Sequence, residues 1–184
     1  MKKLKSKLKK IVSVAMIALT LSVNISSIPA SAYSATRTID NDSIASGYGN
    51  TNGGNAYSYL KANSLYNGDA RMVSSSKSSC YYYWKYPSMG ANATSCRCTI
   101  KVYLNHANFT DPSAAYYVQL SNTQSNRVGY LNQEKAPAGW ISVAKTLSPL
   151  PEGSYYTSKY AFVSPSGTKG KNTGADAIQV LLSS

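Results

Sequence analysis

The sequence predicts an all-β fold, an antiparallel sandwich or jelly roll of two packed sheets, and three observations predict it. All 16 tyrosines fall after residue 32, and Tyr, Val, Ile, Thr and Trp suit a pleated, half-buried surface. Short runs of alternating apolar and polar residues recur, separated by Gly, Asn, Ser and Pro, the pattern of a sandwich or barrel. Residues 33–184 are of a length that makes one domain around one core.

The chain opens with MKKLKSKLKK, followed by the apolar run Ile11 to Val23 and the small-x-small triplet Ala30-Ser31-Ala32. A positive start, a short apolar stretch and such a cleavage site together read as a secretory signal peptide over residues 1–32. A membrane-spanning helix needs about 20 apolar residues, more than this run supplies. Its length and lysine content suit a Gram-positive bacterium. The six leader lysines account for half of the formal charge of +12, leaving 13 basic residues against 7 acids. This balance withdraws support from nucleic-acid binding. It suits a secreted or cell-wall-associated protein held near anionic polymers by a weak, salt-sensitive attraction.

Along the mature chain, Arg37–Asp40 reads as a short strand. Ser43–Ser58, rich in Gly, Asn and Ser, reads as a long loop. Ala56–Leu65 fits a strand or a helical turn, and Arg71–Ser74 another strand. Cys80–Tyr86, CYYYWKY, is an aromatic strand expected to stop at Pro87, with a turn-rich connection over Ser88–Ser95. Cys96–Leu104 alternates cleanly: Ile100, Val102 and Leu104 share one face, Thr99, Lys101 and Tyr103 the other. Ala114–Leu120, Arg127–Asn132, Gly139–Thr146, Lys159–Val163 and Ala175–Leu182 complete eight or nine strands, enough for two sheets. Asn105–Pro112 and Ser164–Gly174 are loops.

Cys80, Cys96 and Cys98 would lie in an oxidising compartment. Three thiols allow one internal bridge, from Cys80 to either partner, and leave one over. Zinc needs a fourth ligand, and His106 stands at no zinc spacing.

The order of motifs is informative. Ile39-Asp40-Asn41-Asp42 is followed by Gly68-Asp69-Ala70-Arg71, Tyr82-Tyr83-Trp84, Thr99-Ile100-Lys101-Val102-Tyr103 and Ala115-Tyr116-Tyr117-Val118. Asn132-Gln133, Gly139-Trp140-Ile141-Ser142-Val143 and Gly174-Ala175-Asp176-Ala177-Ile178-Gln179-Val180 complete the series. This succession resembles the golvesin and xanthan-lyase carbohydrate-binding-like domain over Ile39 to Leu182, with three cysteines that the family lacks. The resemblance implies a galactose-binding-like sandwich, found as an accessory module beside catalytic domains, with Asp176 a structural acceptor for backbone N–H groups.

Catalytic chemistry is thinly supplied. The sole histidine, His106, would need Asp111 or Asp176 as a triad partner, and no G-x-S-x-G elbow occurs. Asp40 and Asp42 offer oxygens to a structural calcium or cap a turn; no other cofactor is implied. Binding is better provided for, because Tyr and Trp present a rigid apolar face with a polar tip, suited to sugars. The candidates are Tyr81, Tyr83, Trp84, Tyr103, Tyr155 and Tyr156, with Lys169 and Lys171 for an acidic polymer; Trp140 is assigned to the core. Of Tyr82, Trp84 and Tyr86 against Tyr81 and Tyr83, one set faces inward. The leading expectation is a secreted, non-catalytic binding module for cell-wall or extracellular polysaccharide. Its rivals are a small secreted hydrolase with a dispersed site and a cationic, envelope-active antibacterial protein.

Overall fold

The computed structural model describes residues 34–42, 47–50, 57–91, 96–120, 124–147 and 156–183. The leader, residues 1–32, and Tyr155 lie outside them. No helix among the described residues is long and apolar enough to cross a membrane.

Strands dominate. In chain order they are β1 (Ser34–Ile39), β2 (Gly47–Asn50), β3 (Ser58–Lys61), β4 (Asp69–Ser74), β5 (Cys80–Ala91) and β6 (Cys96–Leu104). Then come β7 (Ala114–Leu120), β8 (Gln124–Leu131), β9 (Gly139–Leu147), β10 (Tyr156–Ser164), β11 (Asn172–Ala175) and β12 (Ile178–Ser183). Among the described residues one 3-10 turn occurs, at Tyr66–Gly68. The strands form a four-stranded sheet, β1-β12-β6-β9, a five-stranded sheet, β2-β5-β10-β7-β8, and a small sheet, β11-β4-β3. Every pairing is antiparallel. The fold is an antiparallel β-sandwich.

Alternation sets what is buried. On β6, Cys98, Ile100, Val102 and Leu104 point inward, and on β12 Ile178, Val180 and Leu182 do the same. From the five-stranded sheet they meet Tyr82, Trp84 and Tyr86 of β5, Tyr116 and Val118 of β7, and Ala161 and Val163 of β10. Each of these large rings adds apolar area to a core otherwise made mostly of Val, Ile, Leu and Ala.

The polar tips of these rings tie one part of the sandwich to another. Trp84 Nε1 donates to the Asp176 carbonyl at 2.8 Å, and Tyr82 Oη donates to the Asn41 carbonyl. Buried Gln133 donates to Tyr116 Oη at 2.8 Å and to the Gly174 carbonyl at 2.9 Å, while accepting from the Gly174 amide at 2.8 Å. Gly174 is required for space: a Cβ there would stand 2.2 Å from the Phe109 ring.

Three expectations about boundaries give way, one of them the loop over Ser164–Gly174, whose end forms β11 with Ala175. Strand β5 does not stop at Pro87 but runs to Ala91. Pro87 sits where the β5–β10 register breaks, between the Tyr160–Lys85 and Ser158–Met89 pairs, and a residue without an N–H is tolerated at such an irregularity. The segment read as one long loop, Ser43–Ser58, contains β2, which pairs with Cys80 to Tyr83; its Gly- and Asn-rich sequence has no hydrophobic pattern to announce a strand.

Replacing Trp84 by Ala is expected to cost about 3–5 kcal/mol in urea denaturation, the range for deleting a buried large aromatic. Gly174→Ala is expected to destabilise strongly as well, because Phe109 must move. A Trp84→Ala loss no larger than that of Tyr81→Ala would contradict the orientation of β5.

Candidate functional site

The parity that buries Tyr82, Trp84 and Tyr86 turns Tyr81, Tyr83 and Lys85 to the outer face of the five-stranded sheet. Strand β10 adds Tyr160 and Phe162 beside them, and β7 adds Tyr117. The rings form a connected set. Tyr81 lies 6.5 Å from Tyr83 and 5.7 Å from Phe162, Tyr83 lies 6.1 Å from Tyr160, and Tyr160 stacks on Phe162 at 6.3 Å, all between centroids. Tyr83, Phe162, Tyr117 and Arg127 stand in register across β5, β10, β7 and β8, a row about 14 Å long at the spacing of neighbouring strands. Opposite Tyr83 and Tyr81, β2 presents Gly47 and Gly49.

The charge on this face is positive. Lys85 Nζ lies 5.8 Å above the Tyr160 ring, and the Arg127 guanidinium 4.6 Å above that of Tyr130. None of the seven acids of the chain falls within β5, β7, β8 or β10. The result is an aromatic platform with cations at its margins, suited to stacking against ring-shaped polar groups and to attracting anions.

A second aromatic group stands at one end of the other sheet. Tyr103 of β6 pairs with Trp140 of β9, and Tyr66 from the 3-10 turn closes a triangle with centroid separations of 5.5 to 5.6 Å. Nearby, a cleft of about 200 Å³ opens between the loops that follow β6 and β8, lined by Asn105, His106, Phe109, Gln133 and Glu134 among others. That volume is below the roughly 300 Å³ at which pockets for drug-sized ligands begin.

Of the candidate residues, Tyr81 and Tyr83 come together, whereas Tyr103 stands with the triangle on the opposite sheet. Tyr156 begins β10, paired with Ala91; Tyr155 is outside the described residues. Lys169 is exposed on the β10–β11 loop, and Lys171 pairs with Glu134 at 2.6 Å beside the cleft. Two assignments are corrected. Trp84 is 1% exposed and belongs to the core, because the inward side of β5 is the only one on which its indole N–H meets the Asp176 carbonyl. Trp140, placed in the core from sequence, is 40% exposed, because its pairing with Tyr103 sets it on the outward side of β9. Sequence reasoning also passed over Tyr160, Phe162 and Tyr117; the alternation of YAFV and AAYYV was the available signal.

Cys80 and Cys98 are buried thiols. The two are not bridged to each other. The side chain of Cys96, at the start of β6, is not among those described.

The acids serve the scaffold. Asp111 accepts from the Ser113 amide at 2.9 Å, the Ser166 amide at 3.0 Å and Thr173 Oγ1 at 2.5 Å. Burial by itself would raise its pKa, yet these bonds hold the carboxyl below the usual range. Asp176 accepts from the Ala177 amide at 2.8 Å and the Tyr66 amide at 3.1 Å; burial, opposed by those two bonds, pushes it up to about 7. The two carboxylates that a His106 triad would use are thus committed to backbone and hydroxyl donors, and His106 Nδ1 accepts from the Asn108 amide at 3.1 Å. Asp40, read as an oxygen donor to a structural calcium or as a turn cap, accepts from the Asn41 amide at 2.8 Å and from Asn67 Nδ2 at 2.6 Å. Among the described residues no group of three or more His, Cys, Asp or Glu side chains is placed to hold a metal.

The sequence matches no family model and no curated protein. Among solved structures, a xanthan lyase from Paenibacillus is similar at a TM-score of 0.53 and 12% identity, over 79% of this chain and 13% of that one. A family 35 carbohydrate-binding module from Clostridium thermocellum aligns at a TM-score of 0.45 and 11% identity, over 78% of this chain and 97% of that one. This chain therefore spans about an eighth of the xanthan lyase, and what the likeness to that enzyme shows is the β-sandwich fold.

The folded state holds the Asp176 proton more tightly than an unfolded carboxyl with the usual value of 3.8. Its contribution is therefore fully present below about pH 4 and is lost as the pH rises through about 7. Asp40, raised by burial, acts in the same direction. Thermal unfolding midpoints are expected to fall between pH 5 and pH 8, and Asp176→Asn to flatten that fall. A steeper decline in the Asn variant would be inconsistent with this assignment.

Proposed function

We propose that the protein is an exported, non-catalytic module that binds an anionic extracellular or cell-wall polysaccharide on the outer face of its five-stranded sheet. The observation that carries this reading is the linked set Tyr81, Tyr83, Tyr160 and Phe162, extended in register by Tyr117 and bordered by Lys85 and Arg127. Sugar rings have apolar C–H faces and polar edges. A row of half-exposed tyrosines meets both, through ring stacking and phenolic hydroxyls. A row of about 14 Å on a broad sheet suits an extended oligosaccharide better than a single small molecule. The basic margin with no strand-borne acid favours a polymer that carries carboxylates or similar anions.

Three further points support the reading. The leader has the pattern of an export signal, which would deliver the domain to where such polymers are found. The order of motifs resembles the golvesin and xanthan-lyase carbohydrate-binding-like domain, and the sandwich is similar in fold to part of a xanthan lyase. The two acids that a His106 triad would use, Asp111 and Asp176, are held by structural hydrogen bonds, which supports attachment over hydrolysis.

Xanthan serves as the anionic probe and dextran as a neutral one. The protein is expected to co-sediment with xanthan-coated beads. Tyr83→Ala with Tyr160→Ala should weaken that binding at least tenfold, while the far-ultraviolet circular dichroism stays unchanged. Raising the salt from 50 mM to 500 mM should weaken it further, because exposed charges are screened. Undiminished binding by the double variant would overturn the assignment of the site.

A further inference from the structure

We infer that the triangle Tyr66, Tyr103 and Trp140 is a second binding platform for the same class of anionic polysaccharide, so that one copy of the protein bridges two polymer strands. This rests on the reading given under Proposed function and adds to it a second site and a cross-linking role.

The first argument is orientation. Tyr103 and Trp140 are outward positions of β6 and β9 in the four-stranded sheet, where Ile100, Val102 and Val143 are the inward ones. Tyr81, Tyr83, Tyr160 and Phe162 are outward positions of the five-stranded sheet. The inner faces of the two sheets share one core, so their outer faces point in opposite directions, about 10 Å apart plus the depth of the side chains. A single stiff polysaccharide strand lying on one face does not reach the other. Two occupied faces mean two strands.

The second argument is that the chemistry repeats. Lys101 lies two residues before Tyr103 on the same outward side of β6, opposite Ser142 and beside Gln179 in register. Lys85, two residues after Tyr83 on β5, is likewise on the same side of its strand as an outward ring. No acid occurs on β1, β6, β9 or β12, so this face, like the other, has aromatic rings and a cation without a strand-borne carboxylate.

The third argument is the posture of Trp140. It is 40% exposed, set outward by its pairing with Tyr103. Its ring and that of Tyr66 meet edge to face, at an interplanar angle of 71°. Tyr66 is in turn held from behind by the bond from its amide to Asp176 Oδ2 at 3.1 Å. A large aromatic kept outward on a braced support loses little freedom when a ligand stacks on it. Because Trp84 is buried and the chain contains 2 tryptophans, Trp140 is also the indole positioned to report on such a ligand.

The test uses the mature protein and two populations of xanthan-coated beads, one magnetic and one fluorescent. Wild type is expected to carry fluorescent beads to the magnet. Trp140→Ala should lower that transfer at least tenfold while still binding to single beads through the tyrosine face. Trp140→Phe, which keeps an aromatic ring, should retain much of it. Tyr83→Ala with Tyr160→Ala should also abolish transfer yet leave weaker binding through Trp140, seen as a blue shift of its fluorescence with xanthan. Wild type that binds beads but does not transfer them, or Trp140→Ala that transfers them as well as wild type, would overturn the second platform alone. Wild type that binds no beads would sink the polysaccharide reading and this inference with it.

Discussion

The arrangement of this domain depends on the parity of one strand. Along β5 the residues alternate Cys80, Tyr81, Tyr82, Tyr83, Trp84, Lys85, Tyr86, nearly all able to serve in a core. The strand is held in one phase by two hydrogen bonds from its inward rings, Trp84 Nε1 to the Asp176 carbonyl and Tyr82 Oη to the Asn41 carbonyl. A slip of one residue would exchange the two faces, burying Lys85 and leaving both acceptors without their donors. An unpartnered buried polar group costs about 1–3 kcal/mol, so the two bonds select the phase more sharply than hydrophobicity does. Tyrosine is only slightly less at home inside than outside, and hydrophobic pattern alone would not decide.

The same bonds explain why most acids of the chain are scaffold residues. Asp176 lies between β11 and β12, where the chain passes from the small sheet to the four-stranded one. Its carboxylate takes the Tyr66 and Ala177 amides and its carbonyl takes the Trp84 indole. One residue thereby joins the 3-10 turn, the end of β12 and the aromatic strand. Asp111 does the same for the loop before β7, holding Ser166 and Thr173. Such groups are satisfied internally, and that leaves the outer sheet faces to Tyr, Ser, Thr, Gln, Lys and Arg.

No acid falls on the strands of the two larger sheets, and aromatic rings stand outward on both. Both outward faces offer aromatic area on rigid strands, where side chains are positioned by the ladder instead of by loop conformation. The proposed binding needs no moving part. It follows from the composition of the strands and from the twofold exposure that a two-layer fold creates.

The sequence by itself determined the fold class and many of the strands, because a period of two is a local property that Cys96–Leu104 and Ala114–Leu120 display without help. It also indicated an aromatic surface, since more tyrosines are present than a small core accepts. It did not reveal β2 or β11, whose residues lack that period and are held by partners distant in the chain. Nor did it separate Trp84 from Trp140. Each lies in a strand among apolar neighbours, and only the partner of each indole, the Asp176 carbonyl for one and the outward ring of Tyr103 for the other, decides which is buried. Tertiary structure alone brought Tyr81 and Tyr83 beside Tyr160 and Phe162, across nearly eighty residues of sequence, because register between strands is fixed by packing and hydrogen bonds and not by any signal within one strand.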